Sequence, residues 1–408
     1  MSLRIVPPSG SPRILAVAQL VNSLGDGAYY VCSALYFSRV VGLSPAQIGL
    51  GLTIAWAIGS VGGVPLGHLA DRRGPRSTAV LLALATAASV ASFLFVRSFV
   101  PFLLAACCYA TAQCGLAAAR QALLAGLVAK EDRTEALAYL QSTLNAGLAV
   151  GAAAGGVALH FATREAYLSV LAMDAAAFAL CAFVLLRLPT VRAAAPTAGD
   201  GPGLAVLRDR PYALVAFLNM VMLLRMPLIS LAIPLWIVER TSAPGWSVSM
   251  LLVLNTGAVM LFQVRTAAAV TDLPSATRTV RRGGAVMLAS CAVFALSAAA
   301  GAPAWVAVAV LLAGAVLQVV GEMMQSAGAW QISFDLAPAG QQGQYQGFFG
   351  TGVSVARMLG PLLLTTLIVS WGVTGWLLLG ALFLAAGLAM GPAVRWAEKS
   401  DAGFVCAG

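Results

Sequence analysis

Residues Gly67–Arg76, with the sequence GHLADRRGPR, separate two long apolar stretches at about 46–67 and 77–96. A helix needs about 20 residues to cross a hydrocarbon core about 30 Å thick. Each flanking stretch is long enough, and the segment between them concentrates one aspartate and three arginines. The pattern predicts two membrane-spanning helices joined by a short charged loop.

The composition extends this interpretation to the whole chain. Its 408 residues are 60% hydrophobic and only 10% charged, with a mean hydropathy of +0.89, whereas soluble domains are about 25% charged. Backbone groups in lipid must be hydrogen-bonded internally, so long apolar runs indicate helices. We therefore predict an all-α integral membrane protein.

Several other classes are disfavoured by the same composition. The cysteines fall mostly within apolar segments, which argues against a disulfide framework, and His68 and His160 have no metal-ligand spacing around them. The net charge of +9 is dispersed over short loops, so no nucleic-acid partner is expected. Neither GxSxG nor a His-centred constellation is present, so we expect no enzyme activity. Without an ATP-binding GxxxxGK[ST] loop, any pumping would use a proton gradient rather than a cofactor.

Apolar segments alternate with short polar loops along the chain, and the longest polar connection comes after the sixth segment. We predict twelve transmembrane helices in two pseudo-symmetric six-helix bundles: residues 1–188, a cytoplasmic linker at 189–211, and residues 212–408 including a short cytoplasmic tail. The predicted spans are at about 14–38, 46–67, 77–96, 99–124, 137–161, 166–187, 212–238, 247–265, 283–300, 303–332, 345–370 and 373–394.

Basic residues predict the orientation. With a cytoplasmic N-terminus, the outer loops carry only Arg39, Arg97, Arg164 and Arg240, and the inner loops carry most of the others, among them Arg72, Arg73, Arg76, Lys130, Arg133, Arg187, Arg208, Arg210, Arg265, Arg278, Arg281 and Arg282. This distribution follows the positive-inside rule. Both termini are expected in the cytoplasm and the protein in the cell membrane.

The first span contains a polar stripe. Asp26 lies near its middle, and Gln19, Asn22 and Tyr29 recur at helical spacing. A carboxylate at membrane depth is costly and normally faces a cavity or a partner, so Asp26 is predicted to belong to a substrate or proton path.

Further ionisable and polar residues lie in other spans. In span ten, Gln318, Glu322 and Gln325 follow i, i+4, i+7 spacing and share a helix face. Asp174 and Glu322 join Asp26 as candidate proton carriers, unless each acid forms a permanent ion pair with Arg225 or Arg357. Arg120 in span four is expected to pair with Glu131, Asp132 or an acid of the cavity. The predicted substrate-cavity residues are Gln19, Asn22, Tyr29, Tyr109, Gln113, Asn219, Met222, Arg225, Asn255, Gln318, Gln325 and Arg357. Met222 is also compatible with ordinary core packing.

The loop Gly67–Arg76 resembles the G-x-L-a-D-r-x-G-r-[RK] loop motif of the major facilitator superfamily. The resemblance implies the twelve-helix fold, with helices one, four, seven and ten around a central cavity. It also implies a gating role for Gly67, Asp71, Arg72, Gly74 and Arg76. In that family the aspartate is thought to hold the start of the eleventh helix, here near 345–347. The alternative is a charged turn that only obeys the positive-inside rule.

Span five carries Gly147, Gly151 and Gly155 at four-residue spacing, which predicts a smooth face for close helix packing. The pattern is similar to the glycine-rich fifth-helix motif of antiporters in the same superfamily. The alternative is close packing without any meaning for transport direction.

We therefore predict a monomeric, proton-coupled antiporter that exports amphipathic drugs or natural products through the lipid bilayer by alternating access. Asp26, Glu322 and Asp174 are the predicted proton-coupling residues. The alternatives are a proton-coupled importer of a small polar metabolite and a non-transporting receptor of the same fold.

Overall fold

The computed structural model describes residues 9–161, 163–191, 204–298 and 303–405, and within these ranges every regular element is a helix. The α-helices are α1 (Ser11–Leu35), α2 (Pro45–Arg73), α3 (Pro75–Ser92), α4 (Phe99–Leu127), α5 (Arg133–Phe161), α6 (Arg164–Leu185), α7 (Arg210–Leu223), α8 (Ile233–Arg240), α9 (Trp246–Ala268), α10 (Leu273–Leu296), α11 (Ala304–Asp335), α12 (Gln342–Leu364) and α13 (Val373–Val405). Short π-helices at Tyr36–Val40, Leu228–Ala232 and Thr365–Ser370 extend α1, precede α8 and extend α12.

Each predicted span coincides with a long helical segment. Spans one to six are α1–α6, span seven is α7 together with α8, and spans eight to twelve are α9–α13. Among the described residues, eleven such segments are long and apolar enough to cross a membrane. The segment outside this group is α1, whose polar stripe lowers its hydropathy. The all-helical membrane fold predicted from the sequence is confirmed.

Local sequence signals explain where α2 and α3 begin. Ser44 accepts a hydrogen bond from the backbone N–H of Gln47 at 3.2 Å, and the Gln47 side chain accepts from the Ser44 N–H at 2.9 Å. This reciprocal cap, followed by Pro45, starts α2. Gly74 then has a φ of +95°, a conformation that favours glycine, and it allows Pro75 to begin α3 directly after α2.

The chain forms two compact units. The first contains α1–α6 and residues 337–354, which include the start of α12. Within it α1 packs on α5 and α6, α2 packs on α4, and α3 packs on α4 and α6. The second contains α7–α11, the rest of α12 and α13, with α10 packed on α11 and α13.

The glycine face of α5 contacts α1. A methyl group on Gly147 would lie 2.6 Å from Cβ of Ser23, one on Gly151 would collide with the carbonyl oxygen of Leu24, and one on Gly155 would lie 3.0 Å from the carbonyl oxygen of Ala28. The same face supports the part of α1 that carries Asp26. The observed helix spacing therefore leaves no room for a β-carbon at Gly147 or Gly151 and little room for one at Gly155.

In the second unit, α7 is interrupted. It ends at Leu223, and after Pro227 the chain continues as the π-helix Leu228–Ala232 and then α8. Proline removes a backbone donor and clashes with the preceding turn, which explains the break. Arg225 lies within this interruption.

Candidate substrate and proton site

Asp26 is the centre of a polar cluster in the first unit. Its side chain is 8% exposed, and Oδ2 accepts a hydrogen bond from Nδ2 of Asn22 at 2.7 Å, one helical turn away. On α4, the Tyr109 hydroxyl and Nε2 of Gln113 each lie 3.5 Å from Oδ1, and Gln113 also donates to the Tyr109 hydroxyl at 3.1 Å. The predicted stripe of the first span and the predicted polar residues of the fourth thus meet at one carboxylate.

Aromatic rings cover one side of this cluster. The rings of Tyr29 and Tyr109 have centroids 5.7 Å apart, and Phe93 lies 6.2 Å from each of them. Trp56 of α2 adds an edge contact with Tyr109 at 6.3 Å. The cluster is therefore bounded by rings that offer apolar faces together with hydroxyl groups.

The predicted hydrogen-bond partners of Arg120 are wrong. Nη2 of Arg120 donates to the amide oxygen of Gln19 on α1, and the Gln19 amide donates to the Ser23 hydroxyl at 3.0 Å. The expected partners were Glu131, Asp132 or a cavity acid. Those loop acids are exposed, and the α1–α4 packing brings a neutral amide to Arg120 instead.

Asp174 differs from Asp26 in its surroundings. Its side chain is 0% exposed, and neither carboxyl oxygen has a hydrogen-bond partner among the described residues. It packs against Gly25, where any β-carbon would collide with Oδ1 of Asp174, and it is close enough to Asp26 to interact electrostatically. Because Gly25 has no side chain, the surface of α1 leaves space there for the carboxyl group of Asp174 on α6.

The second unit contains a different arrangement around a cation. Arg225, 7% exposed, forms an ion pair with Glu322, with 2.6 Å between Nη1 and Oε1. Its Nε donates to Oε1 of Gln325 at 3.0 Å, and its Nη2 donates to the Ser326 hydroxyl at 2.8 Å.

Two amide side chains complete this network. Nδ2 of Asn255 donates to Oε2 of Glu322 at 3.1 Å, and Nε2 of Gln325 donates to Oδ1 of Asn219 at 2.8 Å. The charge of Glu322 is balanced within its own unit. This is the arrangement expected from the alternative in which the acid forms an ion pair.

Met222 and Gln318, two other predicted cavity residues, take no part in the hydrogen bonds of these two clusters. Met222 is 0% exposed, and Gln318 is 2% exposed without a side-chain hydrogen bond to any described residue. Arg357 is exposed on α12. The predicted helix face of α11 is therefore divided, since Glu322 and Gln325 join the Arg225 network and Gln318 does not.

Asp71, the aspartate of the predicted gating motif, contacts the start of α12, which is the eleventh predicted span. Oδ1 of Asp71 accepts from the backbone N–H of Gly343 at 2.7 Å, and Oδ2 accepts from that of Gln344 at 2.9 Å, both in the first turn of α12. The free N–H groups and dipole at a helix N-terminus stabilise such a carboxylate. A methyl group on Gly67 would collide with the carbonyl oxygen of Gly343, so glycine permits the close approach of α2 and α12.

The other motif residues lie on the outside of this contact. Arg72 is exposed, and Nη2 of Arg76 donates to the carbonyl oxygen of Leu186 beyond the end of α6.

Sequence reasoning missed two residues of the polar clusters, Ser23 beside Gln19 and Ser326 beside Arg225. Ser326 lies four residues after Glu322, so the i, i+4 rule would have found it.

Among the residues that the structure describes, no group of three His, Cys, Asp or Glu side chains is arranged to hold a metal ion.

Comparison with known proteins identifies the class. Residues 15–361 match the family model of the Major Facilitator Superfamily. The uncharacterized MFS-type transporter YttB of Bacillus subtilis is 24% identical over 375 residues, which cover 88% of this chain and 89% of that protein.

Solved structures share the fold. The transporter FucP in its outward conformation aligns with a TM-score of 0.72 at 14% identity, covering 95% of this chain and 98% of FucP. The human organic anion transporter MFSD10 (TETRAN) aligns with a TM-score of 0.70 at 15% identity, covering 93% and 98%. The chain belongs to the Major Facilitator Superfamily, and it is a multi-pass membrane transporter.

Proposed function

We propose that this transporter is a proton-coupled antiporter of the cell membrane, which exports amphipathic, largely apolar compounds by alternating access. The observation that carries the proposal is the carboxyl group of Asp174, which is fully buried beside the Asp26 cluster and has no donor in the described part of the chain. An ionised carboxylate in such a place would have neither water nor a hydrogen-bond donor, at a cost of several kcal/mol or more. A group that is neutral when sealed and ionises when water reaches it is suited to carry a proton.

Asp26 supplies the second half of this proton site. It has an amide donor in Asn22 and half-buried Gln113 within reach, so its charged form is supported where that of Asp174 is not. Simultaneous ionisation of two neighbouring carboxyl groups is disfavoured, because the two negative charges repel each other. We assign proton coupling to this pair, because Glu322 is already balanced by Arg225.

The energy available from one proton is sufficient for export. A proton moving down about 100 mV and one pH unit releases about 3.7 kcal/mol. That energy supports accumulation of a neutral solute by several hundredfold. The aromatic boundary formed by Tyr29, Tyr109 and Trp56 favours a substrate with flat apolar surfaces.

One observation favours the second candidate, an importer of a small polar metabolite. The amide groups of Asn219, Asn255 and Gln325 around Arg225 provide many hydrogen-bonding positions in the second unit. A polar substrate would be recognised by such groups.

Transport into vesicles of defined orientation distinguishes these candidates. In everted vesicles with an acidic interior, a fluorescent amphipathic dye should accumulate and should leave when an ionophore collapses the gradient. Asp26→Asn and Asp174→Asn should abolish accumulation, and Asp132→Asn, an exposed loop acid, should not. Uptake of polar solutes only into right-side-out vesicles with inward proton flow would establish the importer instead, and absence of both activities would favour a receptor.

A further inference from the structure

A cavity unrelated to the two polar clusters opens on the surface of the first unit, at the junction of α2 and α3. It has a volume of about 470 Å³ and lies between the start of α3 and the segment that follows α6. That volume is within the range of ligand sites, about 300–1,000 Å³. Its lining residues are Arg73, Gly74, Arg76, Ser77, Val80, Leu81, Leu84, Leu186, Thr190 and Val191.

The cavity is polar and cationic at one end and apolar at the other. Arg73 and Arg76 lie at the end near the helix junction, with Ser77 beside them. The guanidinium of Arg73 has no hydrogen-bond or ion-pair partner among the described residues. Nε of Arg76 is likewise buried without a partner in the described part of the chain. These donors are suited to a phosphate group.

The backbone adds to this positive end. Helix α3 begins at Pro75 after Gly74, and no side chain caps its first turn. The N–H groups of its first turn and the helix dipole favour an anion there. The side-chain donors and the helix terminus therefore converge on one place.

The other end of the cavity faces outward through large apolar side chains. Leu81, Leu84 and Leu186 are 60%, 44% and 47% exposed. In a chain that spans a membrane, this surface meets acyl chains rather than water. A free phosphate would use the cationic end alone, whereas a phospholipid would fill both.

We propose that this cavity binds one anionic phospholipid of the surrounding bilayer, with its phosphodiester at Arg73 and Arg76 and an acyl chain along Leu81, Leu84 and Leu186. The lipid would stabilise the junction of α2 and α3, which also carries the Asp71 contact with α12. This site is independent of the proposed proton pair.

Native mass spectrometry of the purified full-length protein tests the proposal, with dioleoyl phosphatidylglycerol titrated against dioleoyl phosphatidylcholine. The first phosphatidylglycerol should bind clearly more tightly than phosphatidylcholine. Arg73→Gln should weaken its binding about fivefold, and Arg73→Gln/Arg76→Gln about 25-fold, at about 1 kcal/mol per arginine. Arg281→Gln/Arg282→Gln, which removes two exposed arginines of α10, is the matched control and should leave this affinity unchanged.

Two further binding measurements determine whether the site recognises a lipid or a free phosphate. A melting temperature checks that the variant is folded. Soluble glycerol phosphate should bind far more weakly than the lipid, and Leu84→Trp should weaken lipid binding by narrowing the apolar end. Arg73→Gln keeps the Arg76 bond to Leu186, so its melting temperature without lipid should match that of the original chain. Equal affinity for both lipids, equal loss in the control, or equally tight glycerol phosphate binding would overturn the proposal.

Discussion

The carboxyl group of Asp174 is fully buried, and no described residue donates a hydrogen bond to it. Asp26, on the adjacent helix, has an amide donor at 2.7 Å. The two acids are therefore chemically unequal although both were candidates from the sequence. A buried polar group without partners is costly, so a functional role explains its presence better than stability does.

Replacing Asp174 with asparagine separates stability from transport. Asp174→Asn preserves the shape and removes no hydrogen bond to a described residue, so the melting temperature of the purified protein should be unchanged or higher. Proton-driven accumulation should fall to about onefold, because the roughly 3.7 kcal/mol from a proton is no longer available. Substrate exchange without a gradient should persist. A variant that accumulates substrate normally would exclude Asp174 as the proton carrier.

The Arg225–Glu322 pair is expected to act mainly on stability. Arg225→Met leaves a carboxylate without its cation, which costs about 2–4 kcal/mol here, less than for a fully buried pair because some solvent reaches it. The side chain of Glu322 is 22% exposed, which is the reason for this reduction. Arg225→Met/Glu322→Gln should recover most of the loss in denaturant unfolding in detergent. Equal destabilisation of the single and double variants would show that the two charges are not coupled.

At the scale of helices, two close contacts organise the first unit. The glycine face of α5 brings its backbone against α1, and Gly67 of α2 brings its backbone against α12. Both contacts bear on charged groups, the first supporting the helix of Asp26 and the second placing Asp71 at a helix N-terminus.

The α1–α5 contact can be tested with two glycines of the same helix. Gly151→Ala places a methyl group on the Leu24 carbonyl, and such overpacking costs about 1–3 kcal/mol. Gly156 has no atom within 4 Å of a new β-carbon, so Gly156→Ala should be neutral or stabilising by about 0.5–1 kcal/mol. Unfolding in detergent measures both variants. Equal effects would mean that α5 does not require glycine at the interface.

The Asp71 contact predicts a local change in amide exchange. Asp71→Asn removes the charge of the carboxylate to which two N–H groups of α12 donate. A hydrogen bond to a charged group contributes about 1.5–3 kcal/mol to stability. Hydrogen exchange at residues 343 and 344 should accelerate by roughly tenfold to a hundredfold. Glu131→Gln, an exposed carboxylate, is the control. Unchanged protection in Asp71→Asn would show that this contact does not hold α12.

At the scale of the whole molecule, the sequence predicted the helical membrane fold and the superfamily. Its hydropathy pattern located each span, but it placed the ninth at about 283 although α10 begins at Leu273. Asp272 caps that helix, and its first turns contain Arg278, Arg281 and Arg282, so hydropathy alone missed them. The α13 helix likewise continues to Val405, beyond the predicted end at 394.

The polar site was predictable only within single helices. Helical spacing brought Asn22 to Asp26 and Gln325 to the side of Glu322. Contacts between helices depend on their rotation and depth, which one sequence does not contain. The pairing of Arg120 with Gln19 and the absence of a donor for Asp174 in the described chain are of this kind.

Proton release by the purified protein tests the central claim, that the Asp26 and Asp174 pair carries the transported proton. A pH-indicator dye in weakly buffered detergent solution should report proton release when the amphipathic compound identified in the vesicle assay is added. Proton release is expected from the original chain and from Glu322→Gln, and none is expected from Asp26→Asn or Asp174→Asn. Release that persists in both aspartate variants and disappears in Glu322→Gln would contradict it.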